Sequence, residues 1–317
     1  MMRRGWETTP DANKKEVNME KALWLEERRR GIGGSDVAAI MGLSPWKTAY
    51  QVYREKRKEV EDWSGNELTD WGKRMEPAIR QWYSDQTGRD VRLPDKIMYH
   101  PQHPFMLASL DGFTDDGRVV EIKTARSGKD WGEPETNQIP DYYAVQVHHY
   151  MTITGFKVSD IPVSIAGGSP SIYTVEADKE ISEMIIEACA KFWERVQSGN
   201  PPDPITYADA VARFGSLKAE GAIQADNSVI LAVECIKGVR SQIKELEEQE
   251  EVWKARIIIA LGEKADTLID STGQPLITYK LANGRKMFDA KTFEKDQPNL
   301  YQKYLKTSEP SRRFLVK

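Results

Sequence analysis

Two acids and a lysine fall on one predicted β-hairpin: Ser109-Leu110-Asp111-Gly112-Phe113, an acidic turn, then Val119-Val120-Glu121-Ile122-Lys123. Strand side chains alternate with a period of two. Glu121 and Lys123 therefore share a face, while Val120 and Ile122 point the other way into a core. Asp115, Asp116 and Gly117 suit a three-residue loop with glycine in the left-handed position. That loop length sets Asp111 directly opposite Glu121, on the same face. Like charges facing each other across a strand pair destabilise it. A divalent cation between them would turn that cost into a binding site.

Other elements must hold this hairpin in place. Residues 23–30 read as a short charged helix ending at Gly31. After the Gly31-Ile32-Gly33-Gly34 run, Ser35 or Asp36 is expected to cap a short helix that begins at Val37 and ends at Gly42. Residues 45–57 read as a helix with Pro45 at its first position. Residues 69–87 read as a longer helix, closed by Gly88. There Pro77 follows Glu76 and predicts a bend or a late start. Strands are expected over residues 91–93, 105–113, 118–124, 161–165 and 172–175, and helices over 142–154 and 181–197. Strands and helices in this order predict a sheet covered by helices.

The turn-rich run Ser198-Gly199-Asn200-Pro201-Pro202-Asp203-Pro204 marks a boundary. The expected organisation is a loose tail over residues 1–18, a catalytic domain over 19–200, a linker over 201–224 and a C-terminal region over 225–317. That last region reads as one long helix over 228–261, a hairpin pairing residues 268–270 with 276–281, and a basic terminal strand.

The 317 residues suffice for one large core and a second, smaller domain. Hydrophobic residues make up 39% and charged residues 30%, as in a globular protein, and no apolar run is long enough to span a membrane. The first residues lack a signal-peptide core, and the two cysteines, Cys189 and Cys235, form no ligand pattern. A reducing, cytoplasmic setting is expected. The net charge of −4 does not mark a nucleic-acid binder, so any DNA contact needs a local basic groove.

Glu76 on the long helix and Gln146 in Tyr143-Ala144-Val145-Gln146-Val147-His148-His149-Tyr150 complete a recognisable set. It resembles the PD-(D/E)xK nucleases, and within them the group holding lambda exonuclease and the YqaJ viral recombinases. The run from Gly31 to Trp46 (Gly-Ile-Gly-Gly-Ser-Asp-Val-Ala-Ala-Ile-Met-Gly-Leu-Ser-Pro-Trp) carries much of the likeness. Trp71-Gly72-Lys73-Arg74-Met75-Glu76, Leu110-Asp111-Gly112, Glu121-Ile122-Lys123 and Gln146 follow in family order. The resemblance covers residues 20–200. Leu110 departs from it, since many members carry proline before the aspartate; that proline is not a ligand.

The resemblance implies an α/β fold with a PD-(D/E)xK restriction-endonuclease-like core, a mixed central sheet flanked by helices. The C-terminal helical and small β region would be an extension. Phosphodiester hydrolysis needs an in-line water and charge relief, which Mg²⁺ supplies and for which Mn²⁺ would substitute. Asp111, Glu121 and the Ile122 carbonyl would hold the ion. Lys123 would orient the attacking water or stabilise its hydroxide form. By resemblance, Glu76 acts through a water or a second metal, and Gln146 positions the lysine, the water or the DNA. Backbone N–H groups in the Gly33-Gly34-Ser35 turn suit an anion. The family grips a 5′-terminal phosphate here with a serine, matched by Ser35, and an arginine, which is Arg28 or Arg29. Ser109 and Arg126 flank the site and would also reach phosphate. His148 and His149 point about 100° apart on a helix, so they read as packing or DNA-side residues. Of Trp46, Trp71, Trp82 and Trp131, one would stack on a base and most would pack.

The expected function is thus a Mg²⁺-dependent 5′-to-3′ exonuclease on linear double-stranded DNA, serving phage-type recombination. By resemblance it is phage or prophage encoded, a ring-shaped trimer, and partnered by a single-strand annealing protein. The rivals are an endonuclease or Cas4-like nuclease on the same core, and a non-catalytic DNA-binding scaffold. Cas4-type proteins use four cysteines, which counts against that reading. The C-terminal region has several candidate roles: self-association, docking of the annealing protein, DNA contact through Arg312, Arg313 and Lys317, or packing on the nuclease domain.

Overall fold

Capping residues and apolar alternation place most elements of the chain. The structure, a computed structural model, describes residues 24–61, 65–308 and 310–317. It divides into two compact units, one ending at Ala210 and the other beginning at Val211. The tail expected over residues 1–18 lies outside the described residues.

The first unit opens with a helix whose described part is residues 24–29 (α1), then α2 (Gly34–Ile40), α3 (Ala49–Lys56) and α4 (Glu67–Thr87). Six short strands follow: β1 (Val91–Arg92), β2 (Met98–Tyr99), β3 (Leu107–Ala108), β4 (Gly112–Thr114), β5 (Arg118–Val120) and β6 (Lys123–Ala125). Then come α5 (Asp141–Thr154), β7 (Val158–Ile165), β8 (Ser171–Glu176), α6 (Lys179–Ser198) and α7 (Tyr207–Phe214), within which the boundary between the units falls. The last of these lies in the stretch expected to be a linker. Its Asp209 is buried and accepts a hydrogen bond from Thr48 Oγ1 at 3.1 Å.

β7 is the spine of a mixed sheet. β5 and β6 run parallel to it on one side, and β8 runs antiparallel on its other. β4 pairs antiparallel with β5, and β1 with β4. Most of β7 is buried, as a strand covered on both faces must be. One face of the sheet packs Val119, Ile161 and Val163 against Val37, Val147, Met151, Ile185 and Phe192 from α2, α5 and α6. The other packs Val120 and Ile122 against Ile79 and Tyr83 of α4. This is the expected sheet covered by helices.

The second unit contains α8 (Asn227–Leu261), an antiparallel hairpin of β9 (Thr267–Ile269) and β10 (Pro275–Thr278), α9 (Ala290–Asp296) and α10 (Pro298–Tyr304). The basic terminal strand is not formed; residues 310–317 carry no regular structure. A strand needs a ladder partner, whereas the Arg312 N–H donates to the Gly215 carbonyl at 2.7 Å.

Other expectations are corrected by local chemistry. α2 begins at Gly34 with Gly33 as its N-cap, so neither Ser35 nor Asp36 is the N-cap residue; Asp36 caps from inside the first turn by accepting from the Gly33 N–H. Pro45 does not open α3, which starts behind Thr48, a cap accepting from the Gln51 N–H at 3.2 Å. Pro77 neither delays nor splits α4. Asn66 caps the helix by accepting from the Leu68 and Thr69 N–H groups. Proline then costs one bond, to the Lys73 carbonyl, within 21 helical residues. The strand expected over residues 105–113 is two, because the chain leaves the ladder between β3 and β4.

Candidate active site

β5 and β6 keep the same offset along β7, with Arg118 opposite Val158 and Lys123 opposite Val163. They are two parts of one strand whose ladder lapses at Glu121 and Ile122. In the gap the Ile122 N–H donates to the Asp111 carboxylate at 2.9 Å. The Glu121 N–H stays in register, donating to the Asp160 carbonyl at 3.0 Å. The hairpin turn is the expected three-residue loop, with Gly117 at φ +79°. Gly112 lies opposite Val120, so one step further along the same register sets Asp111 against Glu121.

α5 covers the Glu121 face. Gln146 donates from Nε2 to Glu121 Oε1 at 2.6 Å and to the Tyr150 hydroxyl at 3.1 Å. Lys123 Nζ donates to the same Glu121 Oε1 at 2.6 Å and to Gln146 Oε1 at 3.3 Å. It also lies 4.7 Å from the centre of the Tyr143 ring, a cation–π distance. The second carboxylate oxygen, Glu121 Oε2, is buried with no hydrogen-bond partner among the described residues.

α4 approaches from the other side. A Cβ on Gly72 would meet Thr124 Oγ1 at 3.4 Å, so the helix runs close to β6. Arg80 donates to the Asp111 carbonyl at 3.0 Å and ties α4 to the hairpin. Glu76, one turn before Arg80, is half-buried on the same helix.

The electrostatics are those of crowded acids. Burial, then the nearby Asp111 charge, pushes the Glu121 carboxyl up to about 8 despite Lys123. Burial also raises Asp111, against the pull of Lys123, the Ile122 N–H and Arg80. Glu76 is raised by burial and then by Asp111, which places it within electrostatic reach of the pair. Burial alone would lower Lys123, but Glu121 and Asp111 outweigh it and keep the ammonium charged. Among the described residues, no three His, Cys, Asp or Glu side chains converge as a ready-made metal cage. The donor set still fits Mg²⁺, which takes few protein ligands and keeps several waters. Glu121 Oε2, buried and without a partner among the described residues, is the acceptor such an ion would use.

At the glycine turn, Arg28 donates to Ser35 Oγ at 2.9 Å and lies 3.7 Å from Asp36 Oδ1. Arg29 instead pairs with Glu26 at 3.1 Å. Of the two candidate arginines, it is therefore Arg28 that meets Ser35. Asp36 is nearly inaccessible; it accepts from the Gly33 N–H at 3.1 Å and pairs with Lys56 at 2.7 Å. Burial would raise its carboxyl, but Lys56, Arg28 and Lys47 hold it well below the usual range. Lys56 also donates to the Arg28 carbonyl at 2.9 Å.

Ser109 is half-buried beyond β3 and Arg126 is exposed beyond β6; neither joins the bonds of Arg28 and Ser35. His149 is buried with Nε2 on the Leu107 carbonyl at 3.0 Å, and burial lowers it to about 4. His148 is buried too, and both rings pack into the fold. Trp131 packs on Tyr143 and Tyr173, whereas Trp46 is 67% exposed with its edge against Tyr142. Sequence reasoning missed Tyr150, Arg80 and Lys56. The first two lie one helical turn after Gln146 and Glu76, a spacing that puts them on the same face. Lys56 carried no such signal, because its partner Asp36 is on another helix.

The YqaJ-like viral recombinase domain matches residues 23–157. The protein YqaJ of Bacillus subtilis (strain 168) is 32% identical over 253 residues, 74% of this chain and 78% of that protein. The chain belongs to the YqaJ-like viral recombinase family. The family resemblance read from the sequence is thereby confirmed. Among solved structures, the alkaline exonuclease LHK-Exo from Laribacter hongkongensis aligns over 56% of this chain and 94% of its own, at 19% identity and a TM-score of 0.47. A phage-related exonuclease from Haemophilus somnus 129PT aligns over 53% and 96%, at 13% identity and a TM-score of 0.39. Among the described residues, no helix of this YqaJ-family chain is long and apolar enough to cross a membrane.

Proposed function

We propose that this family member is a Mg²⁺-dependent exonuclease that digests one strand of linear double-stranded DNA from its 5′ end. The observation that carries the reading is Glu121. One of its oxygens is fixed by Lys123 and Gln146, the other is buried and unpaired among the described residues, and Asp111 stands opposite.

Asp111, Glu121 and the Ile122 carbonyl would hold a divalent ion, which would supply charge relief on the phosphate and the leaving oxygen. The chain's own residues do the rest. Gln146 fixes the Glu121 and Lys123 side chains together, so neither must reorganise when substrate arrives. The Lys123 ammonium, held charged by the acids, orients the attacking water and would stabilise its hydroxide form, the proton passing to solvent. Glu76 stands within electrostatic reach of Asp111 and would extend the acidic site. Arg28 and Ser35, with the N–H groups of the first turn of α2, receive the terminal phosphate and set the strand's direction. Exposed Trp46 offers a face to a base at the duplex end. The single strand left behind would pass to an annealing protein.

The test is digestion of linear duplexes with and without a 5′ phosphate, in Mg²⁺ or EDTA, beside closed circles. Mg²⁺-dependent release of nucleotides from 5′-phosphorylated linear ends is expected. No release from any duplex overturns the nuclease reading of this site, and equal attack on circles replaces exonuclease with endonuclease.

A further inference from the structure

α8 repeats apolar residues in strict alternation of three and four: Val229, Ala232, Ile236, Val239, Ile243, Leu246, Glu250, Trp253, Ile257 and Ala260. Nine of these ten positions are apolar. Sustained over more than four heptads, this is the repeat of a coiled-coil seam, with Val229 at an a position and Ala232 at the following d. The structure leaves the seam open. Of 35 residues in the helix only Leu261 is buried, and Val229, Val239, Ile243, Leu246 and Trp253 are each at least half exposed. At 1.5 Å per residue the helix is about 50 Å long. A period of 3.5 matches another helix wound along it, better than a flat or irregular surface.

We infer that α8 pairs with α8 of a second copy of this chain as an antiparallel coiled coil. Charge selects the copy and its direction. In a parallel, in-register pair, Glu250 would face Glu250 of the second copy in the core. The flanking positions would also match without attraction, since Arg240 would meet Cys235 and Glu247 would meet Gln242. Antiparallel, with Val229 against Ala260 of the second copy, all ten layers pair. Ile243 then faces Leu246, and Glu250 faces Val239 while keeping its own Lys254 at 3.1 Å. Arg240 and Glu247 both occupy e positions, which meet one another in an antiparallel pair. Each Arg240 then lies beside Glu247 of the other copy, twice in the pair. Within one helix these two residues are seven apart, too far to touch.

The test uses the full-length chain. The mass of wild type, measured by sedimentation equilibrium from about 1 to 100 μM (a range that brackets micromolar affinities), is expected to fall to half with the double substitution Ile243→Asp and Leu246→Asp. Circular dichroism would check that helix content is kept. Arg240→Glu alone is expected to weaken association about tenfold. Adding Glu247→Arg to it is expected to restore the wild-type mass profile, because the swap rebuilds both attractive pairs. A mass unchanged by the aspartate pair overturns the proposal. So does a double charge swap that fails to rescue Arg240→Glu, which would mean a parallel pair or a different partner for the seam. Nuclease activity enters none of these readouts.

Discussion

Gly34 lies so close to Tyr150 that a Cβ at position 34 would stand 2.5 Å from the ring. Tyr150 is buried, and its hydroxyl takes a hydrogen bond from Gln146, which also holds Glu121. The helix beside the glycine turn and the acidic centre are thus joined through one aromatic ring. Gly34→Ala is expected to cost about 1–3 kcal/mol of stability, as overpacking does. It should also lower kcat by disturbing Gln146. Thermal melts and single-turnover rates would check this, and a wild-type rate in a stable Gly34→Ala protein would break the link.

Lys123→Ala and Glu121→Ala are each expected to reduce cleavage by about a thousandfold or more, the scale of a lost positioned charge or metal ligand. DNA binding measured in Ca²⁺ should stay largely intact, because other residues grip the strand. Near-wild-type turnover in either variant would remove that residue from the site.

Arg28 and Arg29 are adjacent in sequence but differ in partner. Arg28→Ala should abolish the rate preference for 5′-phosphorylated over unphosphorylated ends, whereas Arg29→Ala, which loses a bridge to Glu26 and no bond to Ser35, should keep it. The ratio of initial rates on the two ends is the measurement. An unchanged ratio in Arg28→Ala would return the Gly33-Gly34-Ser35 turn to a purely structural role.

The Asp36–Lys56 pair sets an acid limit on stability. The folded pKa of Asp36 lies below its unfolded value of about 3.8, so the folded state binds fewer protons there. The stabilisation is present above the unfolded pKa and is lost as pH falls through the folded one. Denaturant titrations at pH 5 and pH 3 should show wild type weakening. Lys56→Met leaves Asp36 buried without its closest cation and should cost about 3–5 kcal/mol near neutrality. It should also flatten the acid slope. A slope equal to wild type would mean that Arg28 and Lys47 alone hold the carboxylate.

The hairpin chemistry was legible because strand alternation and turn length are local. Asp115, Asp116 and Gly117 set the loop, the loop set the register, and the register set Asp111 opposite Glu121. Helix and strand identity followed from the same local signals over most of the first unit. Boundaries were less legible where two local signals competed. Ser35 and Asp36 look like caps, but the α2 backbone starts at Gly34, and Asp36 serves Gly33 from inside the first turn. Pro45 looks like a helix start, yet Thr48 caps better.

The sequence by itself determined the residue types of the acidic centre, their faces and the family. Each depends on spacing along one chain segment. Only the tertiary structure decided which groups from separate segments meet. It brought Gln146 and Tyr150 of α5 onto Glu121, Arg80 of α4 onto Asp111, and Arg28 rather than Arg29 onto Ser35. It also interrupted the strand between β5 and β6, where the Ile122 N–H finds a side-chain acceptor in Asp111. Those choices rest on how α4 and α5 pack against opposite faces of the sheet, and packing between distant segments leaves no periodic trace in the chain.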